Sequence, residues 1–304
     1  MNPFAISLAA PALLASNAPQ QQPVFAPPVN RPLRYATKQT RTDGAVTRMF
    51  RIERTLVFHR ATDGYVAELT IDRVDSDTGD PTGALFETGM AAFLGRTLRF
   101  HLDAAGTVTR IEDQDALWSV FADALAEQMG RKATAKAQAK ILRGLKAMPE
   151  SRRRVVLGSM LQAAVRPDIV VEGVEPVHAV RRKARPPFGH GEMLDGTARS
   201  WRMPGGILRR DSNVSGDISV PGSADRTAHL VQKRSLKVDP RSGLLRESRK
   251  VLRLSLGDVR QVHVTETRLG PAPSGAGQAE GIEQQLDVQN DDQKRNGPGE
   301  ATQP

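Results

Sequence analysis

Two stretches in which apolar and polar residues alternate flank a central stretch whose apolar residues recur every three to four positions. This change of period constrains the fold more than any single motif does. In the first stretch Phe50, Ile52, Leu56 and Phe58 share one face of a strand and Arg51, Glu53 and Thr55 the other, and Tyr65, Ala67, Leu69 and Ile71 repeat the pattern. Asp43-Gly44 and Asp63-Gly64 read as hairpin turns, and Asp103-Ala104-Ala105-Gly106 joins 98–102 to 108–111 as a third. Strands so connected pair with their sequence neighbours, which predicts an antiparallel meander. The last third returns to strands. Leu230, Leu236 and Val238 precede an Asp239-Pro240-Arg241-Ser242-Gly243 turn, and Leu252, Leu254 and Leu256, then Val262 and Val264, follow it. Leu245 and Val251 fall on the opposite parity, which predicts a bulge or a two-sided strand.

Between the blocks, Leu117, Val120, Phe121, Ala124, Leu125 and Met129 form one face at helical spacing, with Asp113 placed to cap it. A second helix follows over 133–148, with Ile141, Leu142 and Leu145 inward. Pro149 and Ser151 start a third, its buried side predicted as Val155, Val156, Met160, Leu161 and Ala164, and Pro167 ends it. The expectation is an α+β fold: an antiparallel sheet covered by a helical layer, 113–166, inserted between two strand blocks.

Charge is concentrated in that layer. Residues 131–185 hold 14 Lys and Arg against four acids, so this block alone accounts for the net +9 of the 304-residue chain. Lys132, Lys136, Lys140, Arg143, Arg152, Arg153 and Arg154 form a candidate contact with an anionic surface, either lipid headgroups or an acidic protein. A solvated helical face is the competing reading. Nucleic acid ranks third, because no reader motif accompanies the charge and aromatics make up 4% of the chain. The absence of cysteine removes disulfides, thiolate catalysis and Cys-based zinc sites together.

The ends differ from the middle. Phe4 to Leu14 is an apolar run of signal-peptide length, too short to span a bilayer, and Ser16-Asn17-Ala18 offers small residues for cleavage. The preceding residues hold no Lys or Arg and Pro11 interrupts the run. The pattern favours export, with residues 1–18 as a signal peptide, over an Ala/Pro tail. Residues 19–32 read as a Pro/Gln-rich linker, 33–270 as one α+β domain, and 271–304 as a disordered tail of net −4.

No catalytic constellation stands out, and the expectation is a protein that is not an enzyme and has no cofactor or metal. Asp77-Thr78-Gly79 matches the aspartic protease triplet, but Asp75-Ser76 before it and Asp80-Pro81 after it mark a solvated turn. The same acids lack the glycine and glutamate of a calcium loop. The histidines His59, His101, His178, His190, His229 and His263 have no metal-ligand spacing, and no nucleophile accompanies His190. Gly205-Gly206 lacks the context of a phosphate loop. Trp118 and Trp201 are assigned to the core.

Phe100 to Ile111 (FHLDAAGTVTRI) and Lys237 to Leu256 (KVDPRSGLLRESRKVLRLSL), each a strand-Asp-turn-Gly-strand unit, together with the intervening helices, resemble the bacterial lipoprotein-carrier (LolA/LppX-like) half-barrel family over about residues 33–270. The resemblance implies a curved antiparallel sheet, or half-barrel, holding acyl chains beneath covering helices, usually in the periplasm. The expected ligand is then an acyl chain or anionic lipid in a cavity lined by Leu69, Phe100, Leu117, Phe121 and Leu254. A filled core with a basic face that docks an acidic partner is the alternative.

Overall fold

The computed structural model describes residues 25–77, 87, 89–130, 135–166, 168–169, 180–184, 193–219 and 227–272. Among them, the first block contributes strands β1 Leu33–Asp43, β2 Val46–Ala61, β3 Gly64–Ser76, β4 Thr97–Asp103 and β5 Val108–Ile111. Helices α1 Gln114–Gly130, α2 Ala135–Lys146 and α3 Glu150–Gln162 come next. The second block follows as β6 Val180–Ala184, β7 Leu194–Arg202, β8 Leu208–Ser219, β9 Thr227–Asp239, β10 Leu244–Leu256 and β11 Val259–Pro271. These eleven strands form one antiparallel sheet in the order β5-β4-β3-β2-β1-β11-β10-β9-β8-β7-β6.

Each block is a meander, as the turn signals imply. The two are joined by a ladder between β1 and β11 that runs from Leu33–Pro271 to Asp43–Gln261. The chain therefore closes in the middle of the sheet, with β5 and β6 as the outermost of the described strands. The half-barrel is corrected: the sheet is neither closed nor strongly curled, and among the described residues no ladder joins β5 to β6. The expected bulge is present in β10, where the register shifts between Leu245 and Glu247, and β3 carries another around Asp72.

The two turn units use the same chemistry. Asp103 Oδ1 accepts the N–H groups of Ala105 (2.9 Å) and Thr107 (2.8 Å), and Asp239 Oδ1 accepts that of Arg241 (3.0 Å). Gly106 completes the first turn at φ +86, with the Phe25 and Val165 side chains so close that a Cβ would lie 2.9 Å from one and 3.0 Å from the other.

All buried apolar clusters lie on one face of the sheet, called the inner face below. Among the described residues, helices α1–α3 cover its β1–β5 half, and helical Ile169 packs on β8–β10 beside Leu208, Leu236 and Leu245. Trp118 of α1 and Leu157 and Leu161 of α3 pack with Leu56, Phe58, Leu69, Phe100 and Ile111, and the Trp118 indole donates to the Leu145 carbonyl at 2.8 Å. The face of α3 differs from its predicted one. Leu157, Leu161 and Ala164 are buried, while Val155 and Val156 are 63% and 39% exposed, because the helix is turned to present the i, i+4, i+7 row of Leu157 to the sheet. Its C-terminal end docks on β10, where the Leu245 N–H donates to the Ala164 carbonyl (2.9 Å) and the Arg166 N–H to the Gly243 carbonyl (3.1 Å). Trp201 is a further correction: it is half-exposed on the outer face, with the Arg199 and Arg209 guanidiniums 5.1 and 5.3 Å from its ring centroid.

Candidate ligand-binding face

Cross-strand partners point to the same side of a sheet, so the register identifies which side chains share the inner face. One row across it runs Phe50, Gln39, Thr265, Lys250, Arg234, Ser212, Ala198. The neighbouring row toward the Asp239 turn runs Thr267, Ser248, Leu236, Arg210, Ser200. A polar band thus crosses the second block. It separates a small apolar cluster of Ile169, Leu208, Leu236, Val238 and Leu245 from a larger one of Leu194, Val214, Ile218, Ala228, Leu230 and Leu252. Leu254 and Leu256 pack half-buried against the larger cluster, and among the described residues no helix contributes to it.

The band is cationic. Burial pulls the Arg234 guanidinium down to about 10, with the charges of Arg166 and Arg210 adding to the effect and Asp168 opposing it. Lys250 is lowered by burial and then by Arg234, and His263 by burial and then by Arg41, with Asp43 opposing. The Arg234 Nε is buried without a hydrogen-bond partner. Asp168, whose charge acts on Arg234, is held by a two-point contact with Arg166, one bond of which is 2.9 Å. Burial raises the Asp168 carboxyl, and the Arg166 hydrogen bonds and charge outweigh it, so it stays below the usual carboxylate range.

Of the expected cavity residues, Leu69, Phe100, Leu117 and Phe121 come together in the cluster beneath the helices. They are closely packed there: Leu69 and Phe100 are fully buried, and the Phe121 ring lies 6.0 Å from Phe93 and 5.4 Å from Trp118. Leu254 belongs to the other cluster, to which no described helix contributes.

The expected anionic-surface residues divide similarly. Lys132 lies outside the described residues, and Lys136 and Lys140 fall on α2. Arg143 and Arg152 are exposed. Arg153 donates to the Met148 carbonyl (2.7 Å) and to Asp115 (2.6 Å), and Arg154 donates to the Thr109 carbonyl (2.8 Å) and to Glu150 (3.3 Å). These two arginines fasten α3 to α1 and to the edge strand. Asp77 of the Asp-Thr-Gly triplet accepts the Met49 N–H at 2.6 Å and closes the β2–β3 ladder, while Thr78 and Gly79 lie outside the described residues. His59, His101 and His229 make polar contacts with Asn30, Glu112 and Asp217, and His178 and His190 lie outside the described residues.

Sequence reasoning missed Arg234, Lys250, Arg210 and His263. A signal for two of them was present: Arg234 stands at the parity of Leu230 and Leu236, and Lys250 at that of Leu252 and Leu254, so a charge occupies a position where alternation calls for an apolar side chain.

No helix among the described residues is long and apolar enough to cross a membrane. No protein-family model matches the chain, and no curated protein matches it. Among solved structures it is similar to one titled "Lipid-protein interactions in lipovitellin", at 11% identity and a TM-score of 0.40 over 83% of this chain and 26% of that one. The chain thus spans about a quarter of the length of that relative, and its functional reading rests on its own residues.

Proposed function

We propose that the protein is a non-enzymatic, exported binder of an apolar ligand of the acyl-chain class, which it holds on the inner face of the sheet. The observation that carries this reading is the apolar strip of Leu230, Leu252, Leu254 and Leu256, bordered by a polar band and reached by no described helix. Leu230 and Leu252 are buried within that cluster while Leu254 and Leu256 are partly exposed, so a chain laid against the latter two gains contact without repacking. Entry beneath the helices would instead require parting Leu117 and Phe121 from Leu69 and Phe100, which costs several kcal/mol (about 2–5 per large side chain unpacked). The resemblance to the lipoprotein-carrier family supports the ligand class, and the N-terminal apolar run supports export. Exposed Arg143 and Arg152 add attraction to anionic headgroups. Organic extraction of the purified protein followed by mass spectrometry tests this: a co-purifying acyl lipid is expected. Absence of such lipid, combined with no saturable uptake of a neutral monoacyl probe, refutes it.

A second reading, docking of an acidic protein, draws on an open groove of about 470 Å³ on the outer face, lined by Arg199, Lys233, Arg249 and Arg253 among others. It predicts capture of a partner that is lost as salt rises past about 0.5 M, with no lipid in the extract.

A further inference from the structure

The two faces of β8–β11 treat charge differently. On the outer face, five cations are matched by acids, Arg209 with Asp211, His229 with Asp217, Lys237 with Glu247, Arg246 with Asp239 and Arg249 with Glu266, beside the groove that holds Arg199, Lys233 and Arg253. The inner-facing positions of the same strands carry Arg210, Arg234, Lys250 and His263, and the register places no Asp or Glu among them. Arg234 and Lys250 are direct cross-strand partners, a juxtaposition of like charges that weakens a sheet unless an anion lies between them. Among the described residues, the acids that act on this group are engaged by other cations, Asp168 by Arg166 and Asp43, through Oδ2, by Arg41 (3.1 Å) and Arg48 (3.4 Å). A surface that gathers cations, leaves a guanidinium N–H without a partner and has its nearby carboxylates, Asp168 and Asp43, already paired with arginines has the composition of an oxyanion site.

We propose that Arg234 and Lys250 bind a phosphate oxyanion on the inner face, with Arg210 and His263 adding to the positive field. Lys250 supplies a point charge, and Arg234 supplies directional donors that include the buried Nε. The apolar strip begins one residue pair beyond, at buried Leu252, so a phosphate held here lies beside a surface whose partly exposed members are Leu254 and Leu256. The ligand class that fits both is an anionic phospholipid; its tail rests on the acyl-binding reading above, whereas the phosphate site stands without it.

The test is calorimetric titration of the delipidated full chain with three probes: inorganic phosphate, dihexanoyl phosphatidic acid and the neutral monooctanoylglycerol. The variants are Lys250→Met and Arg234→Gln, with Lys233→Gln on the outer face as control. Phosphatidic acid is expected to bind saturably and to weaken by about tenfold or more in either variant, as loss of a charge-assisted hydrogen bond implies, with Lys233→Gln unchanged. Monooctanoylglycerol is expected to bind wild type and variants alike. Phosphatidic acid binding more tightly than inorganic phosphate identifies a lipid headgroup as the source; equal affinity identifies free phosphate and removes the tail while keeping the anion site. Anion binding that is absent, or equal in all four proteins, overturns the proposal even if the neutral probe binds. Loss of the neutral probe alone overturns the acyl-binding reading instead. Both variants are expected to melt at or above the wild-type temperature without ligand, because each removes one of two opposed cations, so a binding loss cannot be assigned to unfolding.

Discussion

The Arg54 guanidinium lies over the Tyr35 ring, 4.3 Å from its centroid, and the two residues are cross-strand partners on the inner face. Arg54 is 6% exposed, and its Nη1 donates to Thr37 Oγ1 at 3.2 Å. A buried cation is tolerated here because an aromatic face and a hydroxyl receive it. Tyr35→Leu removes that face and strands the charge, and we expect a loss of about 3 kcal/mol in urea unfolding. Adding Arg54→Met to that variant removes the stranded charge and is expected to recover part of the loss. A cost below about 1 kcal/mol for Tyr35→Leu would show that the ring does not support the arginine.

Gly106 and Gly205 have similar left-handed backbones, φ +86 and +80, but only Gly106 is crowded. Alanine at Gly205 meets nothing within 4 Å and should cost about 1 kcal/mol from the backbone alone. Alanine at Gly106 must also displace Phe25 and Val165, so about 3 kcal/mol is expected. Equal melting temperatures for the two variants would contradict this difference.

His263 gives the fold a pH dependence of definite sign. Burial and the nearby Arg41 and Lys250 lower its folded pKa below the unfolded value near 6.5, against the weaker pull of Asp43. In the window below about 6.5 the unfolded chain takes up a proton that the folded chain resists, so stability falls as the pH is lowered from about 6.5 through the folded pKa. His263→Gln should flatten the melting temperature between about pH 7 and 5. An unchanged slope in that variant assigns the dependence to another group.

Trp118 joins α1 to α2 through its bond to the Leu145 carbonyl and is 2% exposed. Trp118→Phe keeps a ring in the core but leaves that carbonyl without the indole donor, at an expected cost of about 1–3 kcal/mol. Because the bond lies between helices, amide exchange should quicken first in α2, with β2 and β3 protected as before. Uniform acceleration across the sheet would contradict that local role.

Strand blocks, helical insertion, Asp-Gly turns and the β10 bulge were all legible in the sequence, because each depends on periods and turn residues within about ten positions. The face of α3 was not, since Val155 and Leu157 are equally apolar and only the approach of the sheet selects between them. Charge was legible in amount and misleading in place. The Arg-rich segment 152–154 announces itself by its run, yet Arg153 and Arg154 are engaged within the fold, while Arg234 and Lys250, 16 residues apart in ordinary-looking strands, become neighbours.

Local pattern by itself determined the element types and the meander within each block. Tertiary structure alone decided that the blocks join through β1 and β11, that the sheet stays open, and that Arg210, Arg234, Lys250 and His263 gather on one face. The physical reason is that alternation specifies which residues share a side of one strand, whereas a shared surface across strands depends on register, and register between distant strands is set only when the whole inner face is buried together.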